Sequence, residues 1–342
     1  MNTRKLVVGL LSSTALVWAC MGAANAAACN SPFVVGDVFA SAGGGVSVYT
    51  PTGTLVCTMN SGLGGITTGS GFDSNGNFYV TNFGSVVSKF DNSGNLVNAS
   101  HFSGLINPES VTNVSVGPFA GSSFVSTEGS ASLSQFNTAT GALVHTFAVT
   151  GGNLTGGTDW MDLLNPTTAI YDGEGTKILR YDLSTSTQLA DFTSAATEAA
   201  LTHIFAMRTI TTGAMAGDVI VANSINALLL DPSGNIIKTY TLPSNSGEDF
   251  SLNLDPNGTD FWTGDIASRN VWEVNIATGA IDQQWTVGPG SFYGLAVFGE
   301  LTTGGGGGGG NGGGVPEPVT LLLFGAGLAG VAGLRRRGKK SA

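Results

Sequence analysis

Apolar residues along this chain come in short runs separated by turns rich in Gly, Ser, Thr, Asn and Asp. One unit recurs six times: an apolar strand, a polar turn and a second apolar strand. It reads VSVYTPTGTLV from Val46, VSKFDNSGNLV from Val87, LSQFNTATGALV from Leu133, ILRYDLSTSTQLA from Ile178, ALLLDPSGNII from Ala227 and VWEVNIATGAI from Val271. The residues before the turns, Tyr49, Phe90, Phe136, Tyr181, Leu230 and Val274, are spaced 41, 46, 45, 49 and 44 positions apart. A period in the forties made of strands, without a helical pattern, predicts a β-propeller with one blade per period.

The rest of each period supplies two more strands. GFDSNGNFYVTNF (Gly71 to Phe83) and LNLDPNGTDFWTGDI (Leu252 to Ile266) both read strand, turn, strand, and SSFVSTEG, PTTAIYDG and GDVIVANS hold the second-strand place in other periods. Asp73, Asp91, Asp231 and Asp255 open turns, where a carboxylate caps backbone N–H groups. Ahead of the first hairpin there is only FVVGDVFAS (Phe33 to Ser41), while SFYGLAVFG (Ser291 to Gly299) is left over after the sixth. If the last strand becomes the innermost of the first blade, both gaps close and no open sheet edge remains. The prediction is an all-β fold: a six-bladed propeller of four-stranded blades over residues 27–303. This pattern resembles the broad superfamily of six-bladed propellers that includes NHL-repeat, gluconolactonase-like and streptogramin-lyase-like proteins, a resemblance specific for architecture and weak for activity.

The two ends carry a different kind of information. At the C-terminus Pro316, Glu317 and Pro318 precede a 16-residue apolar run, Val319 to Leu334, and a basic stop of Arg335, Arg336, Arg337, Lys339 and Lys340. This order resembles the PEP-CTERM sorting signal of Gram-negative bacteria, over residues 315–342. The resemblance implies export across the inner membrane and transient anchoring by a single short transmembrane helix, 319–334. It also implies processing by an exosortase near the Pro-Glu-Pro motif, with the cell surface or extracellular matrix as the destination. Basic residues hold the tail on the cytoplasmic side. The tract GGGGGGGNGGG, 304–314, is expected to act as a flexible linker. At the N-terminus Arg4 and Lys5 precede the apolar stretch Leu6 to Ala19, and Ala24-Asn25-Ala26 offers a small-x-small site. Residues 1–26 are therefore expected to be a signal peptide, cut after Ala26 by signal peptidase. Cys20 then leaves, and Cys29 and Cys57 form an even pair, a candidate disulfide in an oxidising compartment.

Removing both ends changes the electrostatics. The remaining segment, 27–314, holds six Lys and Arg against 22 Asp and Glu, a net charge of about −16. So acidic a surface excludes nucleic acid and anionic lipid as partners. It could collect divalent cations such as Ca²⁺ or Mg²⁺ weakly, and no cofactor is otherwise indicated. Phosphate-loop, nucleophile-elbow and zinc-protease motifs are absent. Trp160, Trp262, Trp272 and Trp285 fall at strand places, where adjacent blades need large side chains to pack.

Inner strands of a propeller converge on a central channel. Aligning their entrances gives Gly65, Glu109, Asp159, His203, Glu248 and Ser291, with Asp249 as a neighbour. Glu109, Asp159, His203 and Glu248 are thus the candidate ligand or metal residues of a channel mouth, in the region where lactonase-like and lyase-like propellers keep their metal. No full ligand set of either family is matched, and a one-residue error in register would turn a side chain away. The same groups could instead hydrogen-bond the inner strands around a water-filled channel. Three readings follow: a non-catalytic exported module recognising an exopolysaccharide or a surface protein; a metal-dependent lactonase- or lyase-like enzyme; and a structural spacer.

Overall fold

The computed structural model of the chain describes residues 27–308, except 152, 153, 155, 156 and 174. The expected signal peptide, the sorting motif, the apolar run 319–334 and the basic stop lie outside these residues. No helix among the described residues is long and apolar enough to cross a membrane.

Six four-stranded antiparallel sheets form the six blades. Their innermost strands are Phe292–Val297 in blade 1, Ser70–Phe72 in blade 2, Pro108–Val114 in blade 3, Met161–Asn165 in blade 4, Ile204–Thr209 in blade 5 and Asp249–Leu254 in blade 6. The expected closure is found: the last strand pairs with Val38–Ala42, setting Val38 opposite Val297, Phe39 opposite Ala296 and Ala40 opposite Leu295. Blade 1 is therefore built from both ends of the ring, and each sheet edge that faces the channel lies among neighbours.

Burial along the strands follows from this stacking. Second strands are covered on both faces by adjacent blades, so Ser122–Thr127 and Asp260–Asp265 are buried throughout. Outer strands have one wet face, and Ile281–Thr286 alternates between partly buried and exposed positions. The apolar core is accordingly divided among the joints between blades. Phe33, Phe39, Phe72 and Phe298 meet edge to face where blade 1 adjoins blade 2, with centroids 4.7 to 6.3 Å apart. Trp160, Trp262 and Trp272 are almost wholly buried.

Turn chemistry repeats with the blades. The Oδ1 of Asp73 accepts from the Asn75 and Asn77 N–H groups, that of Asp91 from Ser93 and Asn95, and that of Asp231 from Ser233 and Asn235, all at 2.9 to 3.0 Å. Asp255 does the same for Asn257 at 2.8 Å. Among the described residues two connections depart from the all-strand pattern, one of them the 3-10 turn Gly213–Met215 within blade 5. Between blades 4 and 5, Ala195–Glu198 forms a single helical turn, started by the Ser194 hydroxyl accepting from Thr197 N–H.

Both ends of the described chain are tied to the ring. Cys29 and Cys57 are joined by a disulfide, Ala28 bridges Thr58, and Phe33 N–H donates to Asn92 O at 2.9 Å. The N-terminal segment thus stitches the outer strand of blade 1 to a turn of blade 2. At the other end Gly304 to Gly308 lie against the face where the inner strands finish. Gly304 O accepts from Ser115 N–H at 2.7 Å, Gly305 bridges Val114, and Gly307 O accepts from Gly299 N–H at 2.5 Å. A Cβ on Gly307 would fall onto the Glu300 carbonyl, so this approach needs glycine.

Candidate functional site

At the channel mouth a β-bulge recurs in four of the six blades. Pairing in blade 3 passes from Pro108 opposite Thr127 to Ser110 opposite Ser126, leaving Glu109 as the extra residue. Blade 5 skips Phe205 between Ile204 and Ala206, and blade 6 skips Phe250 between Asp249 and Ser251. Blade 1 skips Tyr293 between Phe292 and Gly294. A bulge bends the strand and re-aims the unpaired residue. Glu109, Phe205, Phe250 and Tyr293 therefore occupy one equivalent position around the mouth.

The aromatic members of this set touch across blades. His203 stacks on Phe205 with centroids 4.1 Å apart and planes at 11°, Phe205 lies 4.7 Å from Phe250, and Phe250 meets Tyr293 edge to face at 6.0 Å. All four rings are partly exposed. They make an arc over blades 5, 6 and 1.

The four residues picked from the sequence do not share one register. Glu109 sits on a bulge and is buried; Asp159 lies two residues ahead of the inner strand of blade 4 and is buried; His203 comes one residue before its strand and belongs to the aromatic arc. Glu248 is exposed, and its N–H donates to Asp265 Oδ2 at 3.1 Å. Its neighbour Asp249 holds the ladder position instead, fully buried, with Oδ1 accepting from the Thr263 hydroxyl at 2.6 Å. Burial, with Asp265 nearby, pushes the Asp249 carboxyl well above the usual carboxylate range. Among the described residues no three His, Cys, Asp or Glu side chains are grouped to hold a metal ion.

Phe205, Phe250 and Tyr293 were not singled out in the sequence, although a signal was present. Each lies two residues after the aligned entrance of its blade, at His203, Glu248 and Ser291. An aromatic thus recurs at a fixed offset in three consecutive blades, a periodic signal separate from that of the ionisable groups.

Deeper in the channel the polar groups satisfy one another. Arg208 Nε donates to Glu300 Oε1 at 3.0 Å and to Asn253 Oδ1 at 2.9 Å, and Glu300 Oε1 also accepts from Leu254 N–H at 2.8 Å. Asp162 Oδ2 accepts from Thr209 N–H at 2.7 Å. Burial raises the Asp162 and Glu300 carboxyls while the Arg208 guanidinium pulls both back down. Thr302, Gly306 and Gly307 line the same space.

Comparison with known proteins separates the destination of the chain from its architecture. Residues 314–337 match the model of the PEP-CTERM protein-sorting motif. The chain carries a PEP-CTERM sorting signal. That signal implies export and processing by an exosortase. No match is found among curated proteins. Solved propellers are similar in fold: a chain of the nidogen/laminin complex has a TM-score of 0.58 at 12% identity, covering 76% of this chain and 97% of its own length. The WD40 β-propeller domain of Doa1 has a TM-score of 0.53 at 12% identity, covering 79% of this chain and 88% of its own.

Proposed function

We propose that this exported propeller is a non-catalytic glycan-binding module, displayed on the cell surface or in the extracellular matrix, with the channel mouth as its recognition face. The arc of His203, Phe205, Phe250 and Tyr293 carries this reading. The C–H face of a sugar ring is apolar and packs on aromatic rings, while its hydroxyls need hydrogen-bonding groups beside them. Partly exposed rings from three adjacent blades supply the first requirement. Glu248, exposed just ahead of the inner strand of blade 6, supplies a carboxylate for the second. In this proposal residues 1–26 are removed after Ala26, and the tract beyond Gly308 connects the ring to the sorting signal.

A glycan array probed with the full-length protein and with Phe250→Ala tests the proposal. Selective glycan binding that is lost in the variant, with melting unchanged, is the expected result. If the array stays blank while the protein opens a lactone or cleaves a polysaccharide, the proposal fails. A stoichiometric divalent cation in the purified protein, with melting lowered by chelator, would move the assignment to the metal-dependent lactonase- or lyase-like reading.

A further inference from the structure

On the face opposite the mouth, a cleft of about 380 Å³ opens between blades 2 and 3, lined among others by Asp73, Lys89, Asn113, Ser115, Asn137 and Thr138. Its size is at the lower end of small-molecule sites. We propose that this cleft binds a carboxylated sugar, with Lys89 receiving the carboxylate and Asn113 a ring hydroxyl. The proposal stands independently of the mouth.

Two observations point to a ligand. Cations are scarce in this ring, and the others are engaged: Lys177 with Asp191 and Glu198, Arg208 with Glu300, and Arg180, Lys238 and Arg269 with backbone carbonyls. Lys89 lies over the Tyr79 ring at 5.2 Å, and among the described residues its ammonium makes no hydrogen bond or ion pair. On the same wall Asn113 is only 4% exposed. Its Oδ1 accepts from the Ser123 hydroxyl at 2.5 Å, while its Nδ2 has no partner among the described residues. Buried amide donors are rarely left unmet.

The lining selects the chemistry. Asp73 would repel an anion, but its carboxylate accepts from Asn75 N–H, Asn77 N–H, Asn77 Nδ2 and the Tyr79 hydroxyl, four donors that turn its charge into the turn and the blade. Lys89 is then the cation of the lining, beside a carboxylate that is already engaged. A single ammonium matches a single carboxylate, whereas dianionic phosphates and sulfates are met by several donors or by a bidentate Arg. The strongly acidic ring also disfavours polyanions of high charge density. Amides and hydroxyls fill the remaining walls and match sugar hydroxyls.

Titration of the full-length protein with glucuronate and galacturonate, and with glucose and acetate as controls, tests the proposal. At least one uronate should bind about tenfold more tightly than both controls, and Lys89→Met should remove about that factor. Lys89→Arg should retain most of it, and Asn113→Ser should weaken uronate binding several-fold. If neither uronate binds, if glucose or acetate binds equally well, or if a folded Lys89→Met protein binds as before, the proposal is overturned. Should Lys89→Met fail to fold, undiminished binding by Asn113→Ser decides against it. Phe250→Ala leaves the cleft intact and should not change uronate binding, so a failure at the mouth and a failure here are read separately.

Discussion

Arg208 and Glu300 lie 92 residues apart and meet at 3.0 Å in the channel, each with about 6% of its side chain exposed. Arg208 belongs to the inner strand of blade 5, whereas Glu300 follows the strand that closes blade 1. The pair fastens the end of the ring across its centre, at the point where the glycine tract turns back. Taking two charges out of water costs several kcal/mol, offset here because Asn253, Leu254 and the Met207 carbonyl complete their hydrogen bonds.

Removing one partner of such a pair is worse than removing both. Arg208→Met leaves the Glu300 and Asp162 carboxylates buried without their cation and should cost about 3–5 kcal/mol. The double substitution Arg208→Met with Glu300→Gln should recover part of that loss. Denaturant midpoints of the two variants, compared at equal slope, check the order. A double variant less stable than Arg208→Met would contradict it.

Stability should also respond to Glu273. Burial first, then Asp255, Asp260 and Asp282, pushes this carboxyl from 4.5 up to about 7. The folded state therefore holds the proton more tightly than the unfolded one. Its contribution is complete below about 4.5 and is lost as pH rises through about 7. Glu273→Gln should remove this slope and raise the melting temperature by roughly 2–4 °C above pH 7, a modest gain because the side chain is partly solvated. A pH series of thermal melts on both proteins provides the comparison.

Much of the architecture was legible because propeller blades repeat. The period in the forties gave the blade count, and one unpaired strand at each end gave the closure that the Val38 to Val297 pairing shows. The mouth was harder. Alignment by ionisable residues placed Glu109 and Glu248 at one level, whereas the bulges set Glu109 level with Phe250. A bulge adds one residue and so shifts the alternation on which a register reading depends, at a point that the residue types do not mark. The Arg208–Glu300 contact and the seating of Gly304 to Gly308 left no trace of either kind. One links distant single residues, and the other uses side-chain absence itself.

Gly94 and Gly104 offer a matched pair for measuring the N-terminal stitch. Both have left-handed backbone, at φ of 81° and 78°. A Cβ at Gly104 would meet nothing, whereas one at Gly94 would strike the Cys29 Cβ. Gly104→Ala should cost only the backbone strain, about 1 kcal/mol. Gly94→Ala should cost about 1–3 kcal/mol more through overpacking. Equal losses would mean that Cys29 yields without consequence.

The disulfide adds to that stitch in a separable way. It spans 28 residues, and closing a loop of that size is worth about 3–4 kcal/mol in the chain-entropy model. Replacing both cysteines by Ser should lower the melting temperature by several degrees. The ring itself should still close, because blade 1 is completed by the pairing of Val38–Ala42 with Phe292–Val297, in which neither cysteine takes part. Far-ultraviolet circular dichroism should therefore be unchanged at low temperature while the transition shifts. Loss of the strand signal in the double-serine protein would instead make the bridge a condition of folding, and would place ring closure after oxidation in the envelope.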